Sequence, residues 1–208
     1  DGFKLKGYVE PFCGMLGVYQ HIPNCLETIK PRLKYRAGDI NKSVVLMWKS
    51  AQKGWKPPST KISRQKFYEL KEKKTPSRDK GFIGHAYSFR GLFFGGYFPH
   101  NQSRIKHNAE NVSRIAKELK NVNFSSGDYN QFTKLSGYVI YCDPPYQGTQ
   151  QKYGKDTSER LKFDSVKFWA WCKKMAEKNL VFVSEYKIPK NMGKKVWSSG
   201  KEKLYLIT

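Results

Sequence analysis

The stretch Tyr138–Tyr146 constrains the fold most strongly, because an apolar run is followed directly by residues that end a β-strand. Its first part, Tyr138–Cys142, is rich in aromatic and β-branched residues and is typical of a β-strand. Pro144 and Pro145 hold φ at about −65° and lack the N–H that hydrogen bonds between neighbouring strands require. The strand therefore ends at Asp143, and the carboxyl ends of strands are where open α/β sheets bind ligands.

Two other predicted strands also end in an acid. The run from Lys34 ends at Asp39, and the run from Val122 ends in a turn before Asp128. Alone, Asp39 would be best explained as the N-cap of the next helix. Three such acids, counted with Asp143, favour a single ligand crevice at one edge of a sheet.

The composition indicates a polyanionic partner. The 208 residues include 39 Lys and Arg against 17 Asp and Glu, a formal net charge of +22. Nucleic acid is a better explanation of this excess than a membrane surface or solubility alone. No apolar run is long enough to span a bilayer, and the amino terminus has no signal-peptide pattern, so we expect a cytoplasmic protein, or one located with its nucleic-acid partner, and not a secreted one.

The four cysteines are scattered along the chain and form no Cys-x-x-Cys pair. This spacing argues against a disulfide framework and against a structural zinc site. No histidine lies close in sequence to the three acids, so we predict no metal site there.

Residues 53–107 differ in character from the rest of the chain. A loop and a basic helix over 64–74 lead into 81–98, where glycines, aromatics and cations alternate without a helical or strand period. This mixture is typical of a flexible surface that stacks on bases and contacts phosphates, although Phe89, Phe93 and Phe94 are equally well explained as core. We predict nucleic-acid contacts from the following residues: Lys80, His85, Ser88, Arg90 and Tyr97.

The second half of the chain continues the alternation of helices and strands. A helix is predicted over 108–120, and another after Asp164 with a core stripe that includes Phe168 and Trp171. The run Leu180–Ser184 is a buried strand, and a final strand follows a Lys- and Gly-rich hairpin. The predicted class is therefore α/β.

The order of these motifs resembles that of the Dam-type, D12-class DNA adenine-N6 methyltransferases. The motifs are Glu-Pro-Phe-x-Gly from Glu10, Gly-Asp-Ile-Asn from Gly38, Asp128-Tyr129, Asp-Pro-Pro-Tyr from Asp143, and Val-Ser-Glu-Tyr from Val183. The resemblance implies a Rossmann-like methyltransferase sheet with helices on both faces and the α-group order of motifs. It divides the chain into a first catalytic part (1–52), an inserted target-recognition segment (53–107) and a second catalytic part (108–208).

The resemblance also implies S-adenosylmethionine as the cofactor. Phe12 and Gly14 would contact its methionine part, Asp39 its ribose and Ile40 its adenine. The remaining cofactor residues that it implies are Glu10, Pro11, Cys13, Asp128, Tyr129 and Asp143. One departure is Leu16, which stands where the family usually has a second glycine.

The residue types at Asp143–Tyr146 suit methylation of an exocyclic amine. The lone pair of the adenine amine is delocalised, so attack on a methyl group requires acceptors that favour a tetrahedral nitrogen. The Asp143 carboxylate and the Pro144 carbonyl can accept from the amine, and Pro145 makes the turn rigid. Tyr146 offers a ring on which a flipped adenine can stack.

Several readings stay open at this point. The acid and prolines could form only a rigid turn, and the protein could be a catalytically silent DNA-binding protein on a methyltransferase fold. Methylation of RNA adenine or of cytosine N4 is the nearest enzymatic alternative to methylation of double-stranded DNA. Enzymes of this kind act alone or with a cognate restriction nuclease, and the sequence does not decide between these arrangements or give the oligomeric state.

Overall fold

The computed structural model describes residues 4–22, 33–145 and 163–208. Within these residues the chain forms two compact units. The sheet unit contains residues 4–22, 33–39, 121–145 and 163–208, and the helical unit contains residues 40–120.

The sheet unit is organised around seven strands in the order β3-β2-β1-β4-β5-β7-β6. The strands are β1 (Gly7–Glu10), β2 (Lys34–Asp39), β3 (Val122–Ser126), β4 (Tyr138–Cys142), β5 (Leu180–Glu185), β6 (Gly193–Ser199) and β7 (Glu202–Ile207). The pairs among β1 to β5 are parallel, whereas β7 is antiparallel to both β5 and β6. The strand order reverses between β1 and β4, so the switch point of this mostly parallel sheet lies between their carboxyl ends.

The helical unit contains four α-helices among its described residues. They are α1 (Lys42–Gln52), α2 (Arg64–Glu72), α3 (Arg78–Ala86) and α4 (Gln102–Lys117). A fifth helix, α5 (Ser165–Ala176), belongs to the sheet unit. Each α-helix begins after a side chain that accepts from the first turn, which satisfies otherwise unpaired N–H groups. These caps are Asn41, Ser63, Ser77, Asn101 and Asp164.

The core of the sheet unit is apolar and aromatic. Alternate residues of β4, namely Tyr138, Ile140 and Cys142, pack in one cluster with Phe168 and Trp171 of α5. The predicted helix after Asp164 and its core stripe are therefore confirmed, as are the β4 strand, the β5 strand and the terminal hairpin. The α/β class is confirmed as well.

Two predicted elements were wrong in part. Residues 81–86 were expected to be irregular, but they continue α3. A Cβ at Gly81 would lie 2.2 Å from the Ser43 carbonyl oxygen, so this glycine permits close packing of α3 against α1 and is not a sign of flexibility. The helix expected at 108–120 begins earlier, at Gln102, because Asn101 caps a polar first turn.

Two further predictions remain as they were. The sequence also predicts a helix from the end of the glycine turn to about residue 30; a short 3₁₀ turn (Tyr19–His21) stands at its start, and residues 23–32 lie outside the described residues. The predicted insertion at 53–107 lies within the helical unit, whose described part is longer, and it stays a prediction.

Candidate active site

Two hydrogen bonds connect the turn after β1 to the end of β2. The Cys13 amide donates to the Gly38 carbonyl at 2.8 Å, and the Gly14 amide donates to Asp39 Oδ2 at 2.9 Å. Asn41, not Asp39, caps α1, so the explanation of Asp39 as that cap was wrong. Asp39 therefore joins two strand ends at the carboxyl edge of the sheet.

Gly14 leaves room beside this turn. Its φ of +42° is in the left-handed region, and a Cβ built there would meet no atom within 4 Å. Leu16 also has a positive φ, +57°, and its side chain is fully buried. The turn therefore has free space beside its glycine and a buried apolar side chain two residues later.

Glu10, the last residue of β1, is a buried acid. Its carboxyl accepts from the Tyr8 hydroxyl at 2.7 Å, and only 2% of the residue is exposed. Burial raises the pKa of Glu10 to about 8, the Tyr8 hydrogen bond acts in the opposite direction, and the negative charge of Asp143 adds to the rise. This carboxyl is therefore mainly protonated at neutral pH.

Asp143 lies directly after β4 and is exposed, whereas Pro144 is buried and Pro145 half-buried. Because β4 pairs with β1 in parallel, Asp143 lies at the same sheet edge as Glu10. Its negative charge also contributes, after burial, to a raised pKa of Tyr141. Tyr146 lies outside the described residues.

Phe12 and Tyr129 form an apolar wall next to the turn. Their ring centroids are 5.6 Å apart, and both rings pack against Phe168 at 5.5 Å. Burial, followed by the charge of Asp128, raises the pKa of Tyr129 to about 12. Asp128 itself caps the 3₁₀ turn Tyr129–Phe132 by accepting from the Asn130 amide at 2.9 Å.

The three acids lie at one edge of the sheet. Strands β3, β2, β1 and β4 are consecutive and parallel, so Asp128, Asp39 and Asp143 all follow carboxyl ends on the same side. Within the described stretches, no three His, Cys, Asp or Glu residues are grouped so that they could hold a metal ion. No helix in these stretches is long and apolar enough to cross a bilayer.

The comparison with known families decides the identity of this fold. The family model for the D12 class N6 adenine-specific DNA methyltransferases matches residues 86–207. The chain belongs to this family. A search of curated proteins returned no match.

Membership of the D12 class supports a methyltransferase enzyme and DNA adenine methylation in general, and the sheet fits a Rossmann-like fold. The matched residues include β3 to β7, and with them Asp128 and Asp143. The glycine turn and Asp39 precede the match. The roles of individual residues in this D12-class methyltransferase stay predictions.

The residues predicted to contact DNA have different environments in the helical unit. Lys80 is only 1% exposed, and its ammonium group donates to the Lys73 carbonyl. Ser88 is buried and donates to the Gly84 carbonyl at 2.7 Å, while the Tyr97 hydroxyl donates to the Ile62 carbonyl at 3.0 Å.

His85 and Arg90 complete this set. His85 is half-buried, its Nδ1 lies 2.8 Å from the Gly91 carbonyl, and burial lowers the pKa of its imidazole. Arg90 is exposed, and its guanidinium lies 5.2 Å from the centre of the Phe89 ring. Of the five, Arg90 is therefore placed best for contact with a phosphate.

A cationic and aromatic group on α2 was not singled out from the sequence. Arg64 and Lys71 lie 5.8 Å and 5.7 Å from the ring centre of Tyr68. Their spacing of four and three residues puts all three on one side of a helix, which is a signal that the sequence does contain. A similar pair joins Arg78 and Trp55 at 5.3 Å.

Proposed function

We propose that this protein transfers a methyl group from S-adenosylmethionine to N6 of an adenine that is flipped out of double-stranded DNA. The observation that carries the proposal is the switch point of the sheet. There the Gly14–Asp39 hydrogen bond joins the ends of β1 and β2, and Asp143-Pro144 follows the adjacent strand β4.

The residues at this edge fit the cofactor that the family generally uses. Gly14 leaves open space beside a backbone turn, Phe12 supplies an apolar wall, and Asp39 supplies a carboxylate of the kind that binds ribose hydroxyls. When bound, S-adenosylmethionine supplies the electrophilic methyl group. Gly14 and Phe12 would hold its methionine part, and Asp39 with Ile40 its nucleoside.

The chain's own residues activate the amine. The Asp143 carboxylate and the Pro144 carbonyl accept hydrogen bonds from the two amine hydrogens, which favours a tetrahedral nitrogen and the positive charge that develops on it. No strong base is needed before attack, because the amine proton becomes acidic only after methyl transfer. Tyr146 would stack on the extruded base, a contribution of about 1–3 kcal/mol.

The helical unit supplies the DNA-binding surface in this proposal. Residues 40–120 contain 18 Lys and Arg against 5 Asp and Glu, a net charge of 18 − 5 = +13. Phe67 of α2 is buried and packs against Phe94 at 4.9 Å, so α2 and the segment that carries Arg90 adjoin each other. Phe89, which is 49% exposed beside Arg90, adds an apolar surface suited to bases.

The proposal is tested with labelled S-adenosylmethionine and unmethylated duplexes of mixed sequence. We expect label on adenine N6, and modified-base sequencing of DNA from cells that express the protein should reveal the target site. Tight DNA binding with no transfer to any duplex would instead support a catalytically silent DNA-binding protein. Transfer to RNA or to cytosine would identify the corresponding alternative substrate.

A further inference from the structure

The hairpin formed by β6 and β7 is strongly basic and lies at one end of the sheet. Among the described strands β6 pairs with β7 alone, so its outer edge is the edge of the sheet. Between residues 187 and 203 the chain has six lysines and one acid, Glu202. The residues Lys194–Ser199 are all exposed.

The hairpin also exposes a large aromatic side chain. Trp197 is 55% exposed, and the neighbouring Val196 is 45% exposed. The pairing of β6 with β7 is irregular between Lys195 and Trp197, where one extra residue is accommodated.

This irregularity aligns a cation with the aromatic ring. Trp197 lies opposite Leu204, and Lys194 lies opposite Leu206. Leu204 and Leu206 are two residues apart on β7 and therefore on the same face. Lys194 and Trp197 consequently share a face, although they are three residues apart.

Protection of the sheet edge explains only part of this pattern. Lysines on edge strands commonly prevent pairing with other chains. An exposed tryptophan and valine have the opposite effect, because they favour association. An aromatic ring among cations is instead typical of surfaces that contact nucleic acids.

We propose that the β6–β7 hairpin of the sheet unit is a second DNA-contacting surface. Lys194 and Lys201 bind phosphates of duplex DNA, and Trp197, which shares a face with Lys194, packs against the sugars between them. The partner follows from the proposed function, since the substrate is duplex DNA. Contacts with phosphate and sugar carry no base sequence, so this surface strengthens binding to any duplex.

The first test measures duplex affinity as a function of salt for the double variant K194A/K201A. Each phosphate contact adds about 0.9 to the slope of log affinity against log salt, so we expect the slope to fall by about 2. The matched control, K173A/K174A, removes two exposed lysines from α5 in the same unit. Equal slopes for the two double variants would overturn the inference.

The second test replaces Trp197 by Ala. We expect about fivefold weaker binding, the effect of an aromatic anchor within an interface, with an unchanged salt slope because no charge is removed. Thermal unfolding checks that each variant is folded. If Trp197→Ala separates a wild-type dimer and leaves DNA affinity unchanged, the hairpin is a self-association surface and the inference is wrong.

The outcomes separate this inference from the proposed function. Binding is measured on duplexes without added cofactor, so it does not depend on methyl transfer. If the lysine variant has a smaller salt slope but the wild-type protein transfers no methyl group, the hairpin surface is supported and the proposed chemistry is rejected. If the wild-type protein transfers methyl groups but the variant keeps the wild-type slope, the chemistry is supported and the hairpin surface is rejected.

Discussion

The two faces of the sheet at β1 and β4 belong to the same strands, but the side chains buried on them differ in chemical character. On one face, Val9 and Ile140 pack with α5 in an apolar cluster. On the other, Tyr8 and Glu10 are buried as a hydrogen-bonded pair, and Tyr141 has a raised pKa because of burial and the charge of Asp143. We call these the apolar face and the phenol face.

The two faces should affect stability in different ways. Burial of apolar side chains stabilises the fold by roughly 25 cal/mol per Å². Burial of an ionisable group such as Glu10 has a cost that changes with its protonation, and such groups are concentrated at functional sites. The apolar face should therefore set most of the free energy of unfolding, whereas the phenol face should make that free energy depend on pH.

The largest expected effect is on the apolar face. Replacing the fully buried Phe168 by Ala should reduce the free energy of unfolding by about 3–5 kcal/mol. Urea unfolding measures this change, with Val166→Ala, on the exposed side of the same helix, as the control. A loss below 1 kcal/mol would contradict the structural role of this face.

The next effect is on the rate of methyl transfer. Replacing Asp143 by Ala removes one of the two proposed acceptors and should slow single-turnover transfer by about 10²–10³-fold. The unfolding midpoint should change little because Asp143 is exposed, and cofactor affinity, measured by calorimetry, should fall much less than the rate of transfer. A variant with full activity would refute the assigned role.

The third prediction concerns Glu10 and pH. Its pKa is raised from 4.5 to about 8, so the folded state retains a proton that the unfolded state releases. Stability is therefore fully present below pH 4.5 and falls as pH rises towards 8, by roughly 3 kcal/mol at pH 7. Glu10→Gln retains an acceptor for Tyr8 and should flatten this dependence.

The pH dependence is measured by urea unfolding from pH 4.5 to 8. Glu177→Gln, at an exposed position after α5, serves as the control and should keep the wild-type slope. If Glu10→Gln and the wild-type protein show the same slope, Glu10 is ionised in the folded protein.

The smallest expected effect is on cofactor affinity. Replacing Asp39 by Ala removes the acceptor of the Gly14 amide and the proposed ribose ligand, which corresponds to about 1.5–3 kcal/mol, or roughly 10- to 100-fold in affinity. Asp39→Asn keeps an oxygen for Gly14 and should lose less. If Asp39→Ala leaves cofactor affinity unchanged, the ribose does not bind at the end of β2.

Local patterns predicted the strands and the acids that follow them. The β-branched run before Asp143 and the two prolines after it define a strand end without any distant contact. The hydrogen bond between Gly14 and Asp39 joins residues far apart in sequence, and no pattern indicates that contact. The alternation of the two faces likewise became clear only with the strand register.

The least accurate predictions concern the basic segment. Lys80 was predicted to contact DNA, but it is only 1% exposed and its ammonium group donates to the Lys73 carbonyl. Gly81 and Gly84 were interpreted as marks of a flexible loop, whereas side chains there would collide with neighbouring atoms at 2.2 Å and 2.4 Å. Tertiary packing, which composition does not encode, determined both outcomes.

Leu16 has a consequence for protein engineering. A glycine there would relieve the left-handed backbone, but it would also remove a fully buried side chain and leave a hole beneath the turn. Leu16→Gly would bring the turn closer to the usual family pattern, but the loss of buried packing would destabilise the protein. A double-glycine turn could be introduced only together with a larger neighbour that fills the space.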